Sequence, residues 1–103
     1  MTLIASSKLT QTILSDNENI VMLKSEGNYT RIHYNCGKET LSSYTLMRYE
    51  EVLRGFYRVN RKYLVNPRFI AGVDKAKAPG HVVLSNGYQV KIPRRKAKGF
   101  YLD

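Results

Sequence analysis

The chain has 103 residues, 43% hydrophobic and 11% aromatic, with one cysteine and a formal net charge of +9. That length suits one domain, residues 1–103, built round one hydrophobic core. A lone Cys36 excludes an internal disulfide and a cysteine metal site, and the apolar patch in "MTLIASSKL" is too short for a signal-peptide core or a bilayer span. The expected location is therefore cytoplasmic, with no membrane association, and residues 1–8 are expected to be a loosely ordered lead-in. The charge is one-sided. Residues 1–51 hold five Lys/Arg against six Asp/Glu, a net of −1, whereas residues 52–103 hold twelve against two, a net of +10. Such concentration points to an anionic partner, nucleic acid first, then an anionic membrane or an acidic protein.

In chain order, "SSKLTQTILSDNENIVMLK" predicts a short strand near Thr10–Leu14, a polar turn, and a β-rich run from Ile20 to Lys24. "YTRIHYN" (29–35) alternates with period two after the turn "SEGN", and "CGK" turns the chain into "ETLSSYT". Thr45 is placed to cap a helix over "LMRYEEVL", with Leu46, Tyr49, Val52 and Leu53 on one face and Gly55 as its stop. "FYRVNRKYLVN" (56–66) mixes core residues with Arg58, Asn60, Arg61 and Lys62, and Tyr57 and Tyr63 are expected in the core. "FIAGVDKA", "HVVLSNG" and "YQVKI" predict three further strands, the last two joined through an Asn-Gly pair favoured in tight hairpins. "PRRKAKGFYLD" predicts a short terminal helix or an irregular arm, since proline is accepted in a first helical turn. The chain is expected to be mostly β, with short antiparallel strands in small sheets and one clear helix.

Catalytic chemistry finds no foothold. His33 and His81 have no second ligand at metal spacing. Glu50 and Glu51 are adjacent, so they face different sides of a helix. The basic half lacks the carboxylates of acid–base or metal-assisted hydrolysis, so neither an enzyme nor a cofactor is expected. What remains is two cation clusters with almost no intervening acid: Arg54, Arg58, Arg61, Lys62 and Arg68, then Lys91, Arg94, Arg95, Lys96 and Lys98. Unpaired cations on one side repel each other unless a polyanion is present.

In "IVMLKSEGNYTRIHY", "LMRYEEVL", "FYRVNRKYLVNPRFIAGVD" and "VVLSNGYQVKIPRRKAK" the chain resembles, over nearly its whole length, the LytTR DNA-binding domain of bacterial response regulators. The resemblance implies an elongated fold of short antiparallel sheets that inserts loops into successive major grooves of tandem DNA sites, two copies together, downstream of a receiver domain or kinase system. Carried over by position, it implies DNA base contacts from Asn28, Tyr29, Asn60, Arg61 and Arg94. Asn60 and Lys62 stand where many members have His and Ser, and Pro93 where Ser is frequent, so the base preference is open. Chemically, Arg offers a fork that matches guanine O6 and N7. Arg58, Lys62, Lys77, Arg95 and Lys96 suit phosphates. Asn60 fits either an adenine edge or the cap of a turn. A second reading is a single-stranded nucleic-acid binder with Tyr29, Tyr34, Tyr44 and Tyr88 exposed on one sheet face as stacking platforms. A third is a protein-interaction module that docks an acidic partner.

Overall fold

The computed structural model describes residues 13, 15–76 and 80–96. Among these residues, eight strands form two antiparallel sheets. The first contains β1 (Ile20–Glu26), β2 (Tyr29–Tyr34), β3 (Glu39–Ser42), β4 (Tyr57–Asn60) and β5 (Tyr63–Val65), in the order β3-β2-β1-β5-β4. The second contains β6 (Ile70–Asp74), β7 (His81–Leu84) and β8 (Gln89–Lys91), in that order. The helix Leu46–Val52 completes three layers: helix, five-stranded sheet, three-stranded sheet. The elongation expected from the resemblance is seen in principal extents of 47 × 25 × 20 Å.

The central sheet is apolar on both faces, because "IVML" and "LV" are continuous apolar runs and not alternating ones. Ile20, Leu23, Ile32, Tyr34 and Leu64 pack with Ile13 and with Leu46, Tyr49 and Leu53 beneath the helix. Val21, Met22, Val59 and Val65 point the other way, onto Val82, Leu84, Val90 and Ile92 of the second sheet. The single core expected from chain length is thus two buried clusters, back to back across one sheet. Irregular pairing between Ile20 and Met22 re-aims Ile20 toward the helix, as a bulge does.

Several local expectations change. Ile13 and Ser15 have helical backbone, so a strand does not run through them; the rest of the Thr10–Leu14 prediction and the 1–8 lead-in lie outside the described residues. Thr45 caps the helix as expected, its hydroxyl accepting from the Arg48 N–H at 3.4 Å. Val52, however, is 51% exposed, because its direction falls about 90° from that of Leu46, Tyr49 and Leu53. The helix ends at Leu53, whose N–H reaches the Tyr49 carbonyl, and Gly55 lacks the positive φ of a glycine stop. Gly87 has φ 92°, giving Ser85-Asn86-Gly87 the form of a three-residue hairpin loop, one longer than the tight turn expected of Asn-Gly. Tyr57 is 40% exposed, whereas Tyr63 packs half-buried on the second cluster. The end of the described chain is one 3-10 turn, Arg94–Lys96.

His33 stands opposite Met22 on the second-sheet face, buried, with its ring 5.1 Å from that of Tyr88 and Nδ1 3.6 Å from a Glu39 oxygen. Burial pushes its imidazole below the ordinary 6.5, with Glu39 opposing in part. The fold therefore prefers the neutral ring. Its contribution is complete above about pH 6.5 and is lost as pH falls from there through the lower folded value. We expect the urea midpoint to fall between pH 7.5 and 5.5, and His33→Phe, which keeps a ring against Tyr88, to flatten that dependence. An unchanged profile in the variant would assign the effect elsewhere.

Candidate nucleic-acid interface

Three loops meet at one end of the molecule. The β1–β2 hairpin closes through Gly27-Asn28 between the paired Glu26 and Tyr29, with Gly27 at φ 63°, the first-position glycine of a type II′ turn. The corner Arg61-Lys62 joins β4 to β5. Because β1 pairs with β5, the Ser25 N–H donates to the Lys62 carbonyl at 2.8 Å. The hairpin tip therefore projects about 7 Å beyond the corner, on the same edge of the sheet. From the second sheet, Lys91 ends β8 and leads through Ile92 and Pro93 into the Arg94–Lys96 turn.

Corner and terminal turn face each other across an open hollow of about 540 Å³ lined by Asn60, Arg61, Lys62, Tyr63, Lys91, Pro93, Arg94 and Arg95. Five of these eight are cations and none is an acid. None of the five has a carboxylate partner among the described residues, and all are exposed. Tyr63 and Pro93 give the floor an apolar part. Such a hollow can seat one or more phosphates, with guanidinium forks free at its rim.

Arg61, Lys62, Arg94 and Arg95 are brought together here as expected. Asn28 and Tyr29 are exposed on the neighbouring hairpin, Tyr29 at 51%. Asn60, Arg58 and Lys96 are in the same place but are engaged internally. Asn60 Oδ1 accepts from the Lys62 N–H at 2.8 Å and the Tyr63 N–H at 3.1 Å, and Nδ2 donates to the Lys91 carbonyl at 2.8 Å. Arg58 donates through Nε to the Asn60 carbonyl at 3.0 Å, through Nη2 to the Arg61 carbonyl at 2.7 Å and through Nη1 to Glu50 at 2.7 Å. Lys96 Nζ donates to the Arg58 carbonyl at 2.6 Å and lies 5.7 Å from the Tyr57 ring centre. These three hold the corner in shape. Lys77 lies outside the described residues.

Lys91 belongs in the site, although the sequence pattern placed it only in a basic cluster. The signal was available: alternation around the buried Val90 leaves Gln89 and Lys91 on the outer face of β8. One acid intrudes at the hairpin. Glu26 is held there by Arg31, at 2.8 and 3.0 Å, and that hydrogen bonding lowers the Glu26 pKa and raises that of Arg31. Arg31 thus offsets a charge that would repel a polyanion at this edge.

The helix Leu46–Val52 is poorly suited to a DNA groove, since Glu50 and Glu51 are on its exposed surface. The tyrosine platform of the second reading does not form. Tyr34 is buried, Tyr44 packs against the first cluster, and the Tyr88 ring packs 5.1 Å from that of His33, so the four rings do not share one exposed face. Among the described residues no group of His, Cys, Asp or Glu is arranged to hold a metal ion, and no helix is long and apolar enough to cross a membrane.

The family model described as LytTr DNA-binding domain matches residues 10–102. Among solved structures, the LytTr DNA-binding domain of a response regulator from Bacillus cereus is similar with a TM-score of 0.70 and 20% identity, over 81% of this chain and 78% of that one. At that identity the likeness is one of fold. No curated protein matches the chain.

Proposed function

Because the chain belongs to the LytTr DNA-binding domain family, which comprises DNA-binding domains and not enzymes, we propose that it reads double-stranded DNA through its loops to regulate bacterial transcription from the cytoplasm. In this reading the hairpin, the corner and the terminal turn enter successive major grooves on one side of the duplex. Two copies occupy tandem repeat sites, under an upstream receiver domain or kinase system. The observation that carries the proposal is the hollow between Arg61-Lys62 and Lys91-Arg94-Arg95, which has no acid among the described residues that line it.

Roles follow from the side chains. Arg61 and Arg94, which have no carboxylate partner among the described residues, present their forks to guanine edges, and Asn28 and Tyr29 approach bases from the hairpin. Lys62, Lys91 and Arg95 neutralise phosphates, which fixes position without reading sequence. Arg58 and Lys96 hold carbonyls of the corner, so they contribute by shaping it.

If Lys62, Lys91 and Arg95 each neutralise one phosphate, log K falls with log salt at a slope of about −2.7. Titrating labelled duplex across 50–300 mM salt measures it. Lys62→Ala and Arg95→Ala should each flatten the slope by about one and weaken all sequences alike. Binding indifferent to salt, or preference for a single strand over duplex, would sink the proposal.

A further inference from the structure

We infer that Asn60 is a positioning residue: its carboxamide locks the corner to the end of β8, so that Arg61 and Arg94 meet DNA as one rigid pair. The inference rests on the duplex-reading function proposed above. The two arginines stand on different sheets, next to the edge strands β4 and β8, and no backbone ladder joins these strands. What holds the sheets together is the packing of Val21, Met22, Val59 and Val65 on Val82, Leu84, Val90 and Ile92. Apolar contact of that kind fixes a separation, but it is non-directional and sets sliding only weakly. A hydrogen bond across the seam supplies direction.

Asn60 Nδ2 bonds the Lys91 carbonyl across 31 residues of chain, one residue before Arg61 and three before Arg94. Its Oδ1 meanwhile closes the turn through the Lys62 and Tyr63 N–H groups. A carboxamide combines these tasks, whereas a carboxylate accepts but cannot donate and a hydroxyl is too short to span both. An Asn committed in this way is not free for an adenine edge, which needs Oδ1 and Nδ2 together. The second polar link over the same seam, from Lys96 Nζ to the Arg58 carbonyl, braces the opposite side of the corner. A displacement of about 1 Å between reading groups is enough to spoil paired recognition.

The test uses a duplex selected from a randomised pool, a scrambled duplex, and fluorescence anisotropy. Asn60→Ser keeps a turn acceptor without the reach to Lys91; Asn60→Asp keeps both acceptors without the donor and so preserves the turn if the serine variant loses it. Each should lower the ratio of selected to scrambled affinity about tenfold, with the added charge of Asp cancelling in the ratio. In the parent, the losses of ratio from Arg61→Ala and Arg94→Ala should be coupled in a double-mutant cycle. In either Asn60 variant they should become additive. A ratio unchanged in both variants overturns the inference, as does a lost ratio with the Arg–Arg coupling intact, which would make Asn60 a direct reader. A parent that does not discriminate between duplexes overturns the proposed function itself, and this inference with it.

Discussion

Arg61→Ala and Arg94→Ala are each expected to cost about 1–3 kcal/mol of discrimination between a selected and a scrambled duplex, while affinity for the scrambled duplex falls much less. Both guanidiniums are exposed at the rim of the hollow with no carboxylate partner among the described residues. Removing either therefore leaves no buried charge uncompensated, and the fold should be unmoved. Arg61→Lys and Arg94→Lys should restore the charge without recovering discrimination, because an ammonium is a point charge and not a fork. The measurement is a pair of titrations per variant at fixed salt. If the two duplexes weaken equally in each alanine variant, these side chains grip phosphate and base reading lies elsewhere.

The largest expected loss of stability comes from Leu64→Ala, at about 2–5 kcal/mol. Leu64 is fully buried in the centre of the first cluster, paired across strands with Leu23 and flanked by β4 on its other side. Shortening it leaves a void between sheet and helix that neither rigid layer can close. Against a usual total of about 5–15 kcal/mol this is a large fraction. Leu41→Ala, on the exposed edge strand β3, should change stability by less than about 0.5 kcal/mol. Urea denaturation followed by circular dichroism measures both. The Leu64 variant should still bind DNA well below its midpoint, because Val59 and Val65 anchor the corner in the other cluster. A Leu64 cost below about 1 kcal/mol would show that the layers can collapse onto the gap.

Much of the molecule was legible beforehand. β2 and β7 show in their β-branched and alternating residues, the helix in its Thr45 cap and Leu46–Tyr49–Leu53 spacing, and the basic end in a charge imbalance confined to residues 52–103. Arg61, Lys62, Arg94 and Arg95 lie in the two acid-poor clusters, but the resemblance to the LytTR family is what singled them out there from Arg54, Arg68 and Lys98. Arg58 and Lys96 look the same in the sequence, yet they act differently, since their partners are Glu50 and the carbonyls of Arg58, Asn60 and Arg61. Composition does not distinguish a cation aimed at solvent from one aimed at its own backbone.

In "FYRVNRKYLVN" the two asparagines mark this boundary. Both follow a valine that is fully buried, and both are sequence signals for a turn. Local chemistry settles that much, because an Asn side chain accepts from N–H groups two or three residues ahead wherever the chain bends, as Asn60 does for Lys62 and Tyr63 and Asn66 for Arg68. The other half of each carboxamide was decided only by tertiary structure. Asn66 Nδ2 reaches the Ile20 carbonyl, 46 residues away, and Asn60 Nδ2 reaches that of Lys91. By itself the sequence determined the strands, the turns and the surplus of cations, since these depend on near neighbours and on count. Which cations face the hollow and which brace it depends on how two sheets stack, and that follows from apolar packing distributed over both.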